Sequence, residues 1–149
     1  MIRIKAVDEE NIFEVCELTT NQDGVGTIME EYLCSNAVSI AESKYDPNLY
    51  PNAIYNDKTL IGFFMYIRTE DKADTATICR FMIDHRFQNK GLGKKAFRYI
   101  LKGLKIQGVR KVILMIDEAN EIAKELYLSF GFQFTGKIDK DEYYYELDL

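Results

Sequence analysis

The feature that most constrains the fold of this chain is the segment of residues 80–95. An apolar run that ends at Ile83 leads into a loop containing Gly91 and Gly93, and from Leu92 onward apolar residues recur at helical spacing. A strand that passes through a glycine loop into an amphipathic helix requires a sheet with helices packed on it. This segment therefore predicts an α/β domain.

The rest of the sequence supports the same architecture. Alternation over residues 2–7 predicts a first strand, and Asp8 is expected to cap the helix that follows. Ser35 is expected to cap a second helix, which Pro47 and Pro51 would end. The later predicted elements are strands at 53–55, 60–67 and 76–83, a helix from Leu92 to Gly108, a strand at 109–116 covered on both faces, a helix from Asn120 to Gly131, and a hairpin of 132–138 with 143–147.

Composition limits the class of protein. At 149 residues and 47% hydrophobic, the chain predicts one domain, residues 1–149, with a single core. No apolar run approaches the ~20 residues of a membrane span and no signal-peptide pattern opens the chain, so we expect a cytoplasmic protein. Cys16, Cys34 and Cys79, with only one His, match no metal-ligand spacing, and we expect free thiols and no metal.

Charge is distributed unevenly along the chain. Residues 1–75 hold 6 Lys and Arg against 14 Asp and Glu, whereas residues 76–149 hold 13 against 10. Phosphate attraction dominates nucleic-acid affinity, so a chain of net charge −5 is expected to bind neither DNA nor RNA. The basic half could still hold a small polyphosphate.

The glycine loop has the chemistry of a phosphate site. Glycines let main-chain N–H groups turn toward phosphate oxygens, and the start of the following helix adds partial positive charge. Lys90, Lys94 and Lys95 would surround such a ligand. The alternative is an ordinary turn followed by a solvated lysine face. The spacing is neither a Walker motif nor a three-glycine dinucleotide fingerprint.

Two motifs resemble the markers of the GNAT superfamily of acetyl-coenzyme A-dependent N-acetyltransferases. Residues 88–93, QNKGLG, are similar to its Gln/Arg-x-x-Gly-x-Gly/Ala signature, and residues 120–132, NEIAKELYLSFGF, to its second marker. The resemblance covers essentially the whole chain. It implies the GNAT fold: a mixed twisted sheet of six or seven strands, helices on both faces, and strands 4 and 5 that splay apart.

The resemblance also implies how acetyl-coenzyme A is held. Main-chain amides of the loop would bind the pyrophosphate, the exposed edge of strand 4 would pair with the pantetheine arm, and an N–H near Met82 would polarise the thioester carbonyl. The residues assigned to the cofactor are Phe81, Met82, Ile83, Gln88, Asn89, Lys90, Gly91, Leu92, Gly93, Lys94 and Asn120.

Tyr127 is the expected catalytic residue. It lies seven residues after Asn120, the spacing of the second marker, and a phenol can donate a hydrogen bond or a proton to the departing thiolate. The alternative is a packing role on the apolar side of its helix. Related enzymes carry an acid on strand 4 where this chain has Cys79, so we assign no general base.

The acceptor is predicted from charge and from a second resemblance. Residues 35–51 and 80–84 are similar to bacterial diamine and spermidine acetyltransferases, and carboxylates with aromatic faces attract polyamines. The expected acceptor residues are Glu30, Glu31, Glu42 and Tyr45, and the alternative is that the carboxylates are solvent-facing charges of a helix and a loop. The alternatives are another amine, such as a protein N-terminus, lysine, amino sugar or antibiotic, and an inactive acyl-coenzyme A-binding module. Tyr143, Tyr144 and Tyr145 could form the edge of a homodimer or could equally cover the core of this chain.

Overall fold

A computed structural model describes all 149 residues and contains four helices and seven strands. The strands are β1 (Ile2–Ala6), β2 (Leu49–Asn56), β3 (Thr59–Ile67), β4 (Thr75–Ile83), β5 (Lys111–Asp117), β6 (Gln133–Asp139) and β7 (Glu142–Asp148). The helices are α1 (Ile12–Glu17), α2 (Asn36–Ser43), α3 (Leu92–Ile106) and α4 (Glu121–Ser129). None of the helices is long and apolar enough to cross a membrane.

The seven strands form one mixed sheet in the order β1-β2-β3-β4-β5-β7-β6. Every neighbouring pair is antiparallel except β4 and β5, which run parallel. Their parallel ladder is short, since it extends only from the pair Thr75 and Lys111 to the pair Ile78 and Leu114. Beyond Ile78 the two strands separate. The predicted mixed sheet and its splay between strands 4 and 5 are confirmed.

A β-bulge lies where β4 leaves β5. On the β3 side, Met65 pairs with Arg80 but Tyr66 pairs with Ile78, so Cys79 is the extra residue. A bulge bends its strand and increases the local twist. The last part of β4 therefore stays paired with β3 while it turns away from β5.

Two apolar clusters cover the sheet. The larger one includes Phe97 and Leu101 of α3, Tyr127 of α4 and Leu114 of β5, and the smaller one joins α1 and α2 to Met82. Helices therefore cover both faces. No residue of β5 is exposed, but one face is buried more deeply than the other, because its residues alternate between buried and half-buried.

The predicted helix starts are largely confirmed. The Ser35 hydroxyl accepts from the Val38 N–H at 3.3 Å, as an N-cap does. The cap of α1 differs from the prediction: its N-cap is Asn11, while Asp8 accepts from the N–H groups of the turn before it. Asn120 caps α4 as predicted.

The prediction that Pro51 helps to end α2 is wrong, because Pro51 lies within β2 and pairs with Met65. Proline is tolerated in a strand where no ladder bond needs its N–H. The Pro51 carbonyl still accepts from the Val7 N–H at 3.0 Å, just beyond the end of β1. The N–H that proline lacks therefore removes at most one hydrogen bond, at the end of the ladder between β1 and β2.

The aromatic strand β7 is not an edge of the sheet. It lies between β5 and β6, and Tyr145 is buried. The open edge on this side is β6, all of whose residues are exposed. The predicted dimer edge at Tyr143, Tyr144 and Tyr145 is therefore wrong as placed.

Candidate active site

The separation of β4 from β5 leaves one edge of β4 unpaired. Asp84, next after the strand, donates its N–H to Ile61 of β3 at 2.8 Å. Main-chain groups alternate in direction along a strand, so the N–H groups of Phe81 and Ile83 point the opposite way, into the gap. The gap thus presents main-chain donors on either side of Met82.

The loop after β4 holds a second set of free donors. Asn89 and Gly91 have positive φ angles of 62° and 76°, and Gly91 is the N-cap of α3. None of the six main-chain N–H groups from Asn89 to Lys94 donates to an acceptor within the chain. Successive unpaired N–H groups around left-handed residues make a concave anion site, and the α3 dipole adds to it.

Side chains in this loop brace it. Gln88 donates through Nε2 to the Ile83 carbonyl at 2.9 Å and accepts at Oε1 from Gln22 at 3.1 Å. The amide side chain therefore ties the loop to the end of β4. Gly93 faces Ile83, and a Cβ at Gly93 would make ordinary contact at 3.6 Å. Lys90, Lys94 and Lys95 are exposed and form no ion pairs.

Asp84 anchors the end of β4 and was not singled out from the sequence. Its side chain is 2% exposed and accepts from the Thr19 N–H at 3.0 Å and from Arg86 Nε at 2.7 Å. Burial acts to raise the pKa of Asp84, but these hydrogen bonds outweigh it and lower the pKa below its usual value. An Asp directly after a strand and two residues before Arg86 is a turn signal that could have identified it.

Asn120 lies three residues after the end of β5, and its main-chain N–H donates to the Asp117 carbonyl at 2.9 Å. Its Oδ1 accepts from the Ala123 N–H at 3.2 Å, which caps α4. The Nδ2 group of Asn120 makes no hydrogen bond within the chain and remains a free donor. The cap also fixes the first turn of the helix that carries Tyr127.

Tyr127 is joined to β4 by packed aromatic rings. Its ring lies 5.0 Å from Phe97 of α3, and Phe97 in turn lies 5.2 Å from Phe81. Tyr127 is 8% exposed, and burial raises its pKa well above the ordinary value. Its hydroxyl makes no hydrogen bond within the chain. Every fully buried side-chain oxygen or nitrogen of the protein does have a hydrogen-bond partner, so the Tyr127 hydroxyl is not fully buried. The hydroxyl therefore has an accessible face and carries a proton at neutral pH.

The predicted acceptor residues differ in how far their polar groups are already bonded within the chain. Glu30 accepts from the Thr20 N–H at 2.8 Å and from the hydroxyls of Thr19 and Thr20 at 2.5 and 2.6 Å. Both of its carboxylate oxygens are therefore used to fold the segment between α1 and α2. Tyr45 is 91% exposed and lies just after α2.

Glu42 and Glu31 have different surroundings. Glu42 is paired with Arg80, with Oε1 3.3 Å from Nη2. Glu31 is exposed and has no ion-pair partner. Its neighbour Tyr32 donates to the Ala119 carbonyl at 3.2 Å, which joins this segment to the residue before Asn120. Burial and the Glu31 carboxylate raise the pKa of Tyr32. Of the three predicted carboxylates, Glu31 alone has neither a cationic partner nor a main-chain donor.

Cys79 occupies the bulge without the character of a base. Its thiol lies 3.7 Å from the Thr77 carbonyl, and burial raises its pKa. A thiol that holds its proton near neutral pH cannot accept one from an ammonium group.

Comparison with known proteins agrees with this geometry. Residues 12–132 match the model of the acetyltransferase (GNAT) family. The chain is 33% identical to the spermine/spermidine N(1)-acetyltransferase of Bacillus subtilis over 144 residues, which is 93% of this chain and 91% of that protein.

Solved structures show the same fold. The spermidine N-acetyltransferase of Vibrio cholerae, in complex with CoA and spermine, superposes with a TM-score of 0.73 at 18% identity, covering 99% of this chain and 95% of that one. The PaiA N-acetyltransferase of Thermoplasma acidophilum, in complex with coenzyme A, gives 0.70 at 19% identity, covering 100% and 99%. The free donors at the β4 edge and the loop, the family match and the shared fold lead to one conclusion: this chain belongs to the GNAT family and is an acetyl-coenzyme A-dependent N-acetyltransferase.

Proposed function

We propose that the acceptor is a diamine or polyamine such as spermidine, and that Tyr127 assists departure of the coenzyme A thiolate. The observation that carries the choice of acceptor is the 33% identity with a spermine/spermidine acetyltransferase across 93% of the chain. Unlike a match limited to the cofactor motif, this similarity extends over α1, α2 and the segment between them.

The free main-chain donors divide between the two ends of the cofactor. The N–H groups from Asn89 to Lys94 suit the pyrophosphate, which is an anion and fits a helix N-terminus. The free amide of Asn120 and the β4 edge suit the pantetheine arm. The N–H of Phe81 or Ile83 then lies where the thioester oxygen gains negative charge as the amine attacks, and a preorganised donor there lowers the barrier.

Tyr127 acts on the other product of that step. When the C–S bond breaks, the sulfur leaves as a thiolate, whose conjugate thiol has a pKa of about 8.5. The pKa of Tyr127 is raised above the ordinary value of 10.0, so complete proton transfer to the thiolate is uphill. The phenol therefore stabilises the leaving group chiefly as a hydrogen-bond donor.

Glu31 is the best candidate for attracting the cationic acceptor. Of the predicted carboxylates, Glu30 is bonded internally and Glu42 is paired with Arg80. Tyr45 remains a proposed aromatic contact at the exposed end of α2. A polyamine carries several ammonium groups, so one distal cation can lie near Glu31 while a neutral terminal amine attacks.

A second candidate acceptor is a protein N-terminus. The chain is 31% identical over 83 residues to the ribosomal protein bS18-alanine N-acetyltransferase of Haemophilus ducreyi, covering 56% of each protein. Exposed apolar side chains at Val25, Ile28 and Met29 in the segment between α1 and α2 would suit a peptide. We rank it second because that similarity covers little more than half of the chain.

The test is a comparison of amines. Release of free coenzyme A thiol would be followed with spermidine, spermine, putrescine, lysine, glucosamine and an alanine-terminated peptide. We expect the highest kcat/KM with spermidine or spermine. Faster turnover of the peptide would overturn the polyamine assignment, and binding of acetyl-coenzyme A without turnover of any amine would favour an inactive binding module.

A further inference from the structure

Arg80 lies at the bulge of β4 and contacts three separate parts of the chain. Its Nε donates to Cys34 Sγ at 3.1 Å, and its Nη1 donates to the Cys79 carbonyl at 2.9 Å. Its Nη2 pairs with Glu42 of α2 at 3.3 Å. The side chain is only 24% exposed. Each contact uses a different nitrogen of one planar group.

The contact with Cys79 falls at the critical position. A bulge leaves the extra residue outside the regular ladder, so its main-chain groups need other partners. Cys79 is also the first residue of β4 beyond the parallel ladder with β5. Arg80 Nη1 donates to the Cys79 carbonyl and so fixes the peptide group between Cys79 and Arg80. The Phe81 N–H belongs to the next peptide group along the strand.

We propose that Arg80 is a positioning residue for acetyl transfer, which holds the bulge so that the β4 donors aim into the gap. Through Glu42 and Cys34 it also joins that point to α2 and to the segment between α1 and α2. This inference rests on the proposed cofactor placement along β4. Arg80 itself need touch neither the acetyl group nor the amine.

The chemistry explains why an arginine is needed here. The guanidinium is a rigid planar fork whose nitrogens donate in different directions, whereas a lysine offers one ammonium at the end of a flexible chain. A lysine at position 80 would carry its three N–H donors on a single nitrogen and could not reproduce three contacts made from separate nitrogens. Mispositioning of a reacting group by ~1 Å costs about 100-fold in rate, so small movements of the bulge are expected to appear in kcat.

The test compares Arg80→Lys and Arg80→Met with a matched control. Arg68 is also half-buried and also holds main-chain carbonyls, those of Ala73 at 2.6 Å and Gln107 at 3.1 Å, but at the other end of β4. Steady-state kinetics would use the amine that the wild-type enzyme acetylates fastest, with acetyl-coenzyme A affinity by calorimetry and thermal unfolding in parallel.

We expect Arg80→Lys to lower kcat about 10-fold to 100-fold, while the KM for amine and the Kd for acetyl-coenzyme A change less than about threefold. Arg68→Lys should lower the unfolding temperature without such a change in kcat. Wild-type kcat in Arg80→Lys would overturn the inference and leave the proposed function intact. If Arg80→Met does not fold, Arg80→Lys alone decides, and a wild-type enzyme that acetylates no amine would overturn both proposals.

Discussion

The regions that we propose for the cofactor (the cofactor side) and for the amine (the acceptor side) use their polar groups in opposite ways. On the cofactor side, six consecutive main-chain N–H groups from Asn89 to Lys94 have no partner in the chain. On the acceptor side, Glu30 and Glu42, which look in sequence like ligands for a cation, are bonded to the protein itself. The difference teaches that carboxylates counted in a sequence overstate the charge available to a substrate.

The reason is physical. Donors of a glycine loop are fixed by backbone conformation, and their freedom follows from the turn. A carboxylate is free only if no donor elsewhere in the fold reaches it, and a half-buried one is stabilised by such donors. The predictions below test whether the two sides are as different as this contrast implies.

The largest effect is expected where the two sides are joined, at Asp84. Asp84→Ala removes the acceptor of the buried Thr19 N–H, which costs about 1–3 kcal/mol when left unsatisfied, and also removes the ion-pair partner of the more exposed Arg86. We expect the free energy of unfolding to fall by about 3 kcal/mol, measured by urea denaturation. Asp141→Ala, in the exposed turn between β6 and β7, should change it by less than about 0.5 kcal/mol. An equal loss of unfolding free energy in both variants would contradict the anchoring role assigned to Asp84.

The stability difference between wild type and Asp84→Ala is predicted to depend on pH. Because the folded-state pKa of Asp84 is lowered, its stabilisation is present above the unfolded-state pKa of about 3.9 and is lost as the pH falls through the folded-state value. The difference in unfolding free energy between wild type and Asp84→Ala should therefore be full at pH 6 and shrink below about pH 4. A constant difference over that range would contradict the role assigned to the carboxylate.

On the cofactor side, Tyr127→Phe should lower kcat about 100-fold, because the leaving thiolate loses its hydrogen-bond donor. The Kd for acetyl-coenzyme A should stay within about threefold, since the ring and its contacts with Phe97 remain. Tyr99→Phe on the exposed side of α3 is the control and should keep wild-type kcat. An unchanged kcat in Tyr127→Phe would reduce Tyr127 to a packing residue.

Gly91→Val tests the backbone-based cofactor site. Gly91 has φ of 76°, and a β-branched residue there is strained by about 1–3 kcal/mol, which should displace the free N–H groups. We expect the Kd for acetyl-coenzyme A, measured by calorimetry, to rise about 10-fold to 30-fold. Gly103→Ala, within α3 with no atom near its added Cβ, is the matched control and should bind normally. Equal affinity of both variants for acetyl-coenzyme A would contradict the proposal that this loop binds the pyrophosphate.

The smallest effect is expected at Glu31. Exposed ion pairs contribute about 0–1 kcal/mol, so Glu31→Gln should raise the KM for spermidine up to about fivefold, and less at high salt. Glu70→Gln, at the exposed turn between β3 and β4, should leave the KM unchanged. If Glu42→Gln raised the KM more than Glu31→Gln did, Glu42 would contribute to amine binding despite its pairing with Arg80.

The sequence predicted the parts of this fold that local rules determine. The β4 strand, the glycine loop and α3 follow from apolar spacing, and Ser35 and Asn120 were found as caps because capping depends on neighbouring residues. The splay between β4 and β5 came from family resemblance. No local pattern in the chain shows it.

What the sequence could not predict depends on residues far apart in the chain. The contact of Arg80 with Cys34 spans 46 positions, and that of Thr19 with Asp84 spans 65. Only the folded sheet brings such groups together, so the ion pair of Glu42 with Arg80 could not be predicted from the sequence. Pro51 was misread for a similar reason, because its place at the end of the β1 ladder depends on which strand lies beside it.

The shortness of the parallel ladder between β4 and β5 has a consequence for the apo protein. Four residue pairs from Thr75 and Lys111 to Ile78 and Leu114 are the only sheet bonding between strands β1–β4 and β5–β7. Acetyl-coenzyme A lying in the gap would bridge the two blocks as a non-peptide strand. A ligand that binds only the native state at 100 times its Kd stabilises it by about 2.7 kcal/mol. The cofactor would then be a component of the folded architecture, and amide exchange at Phe81 and Ile83 should slow when it is added.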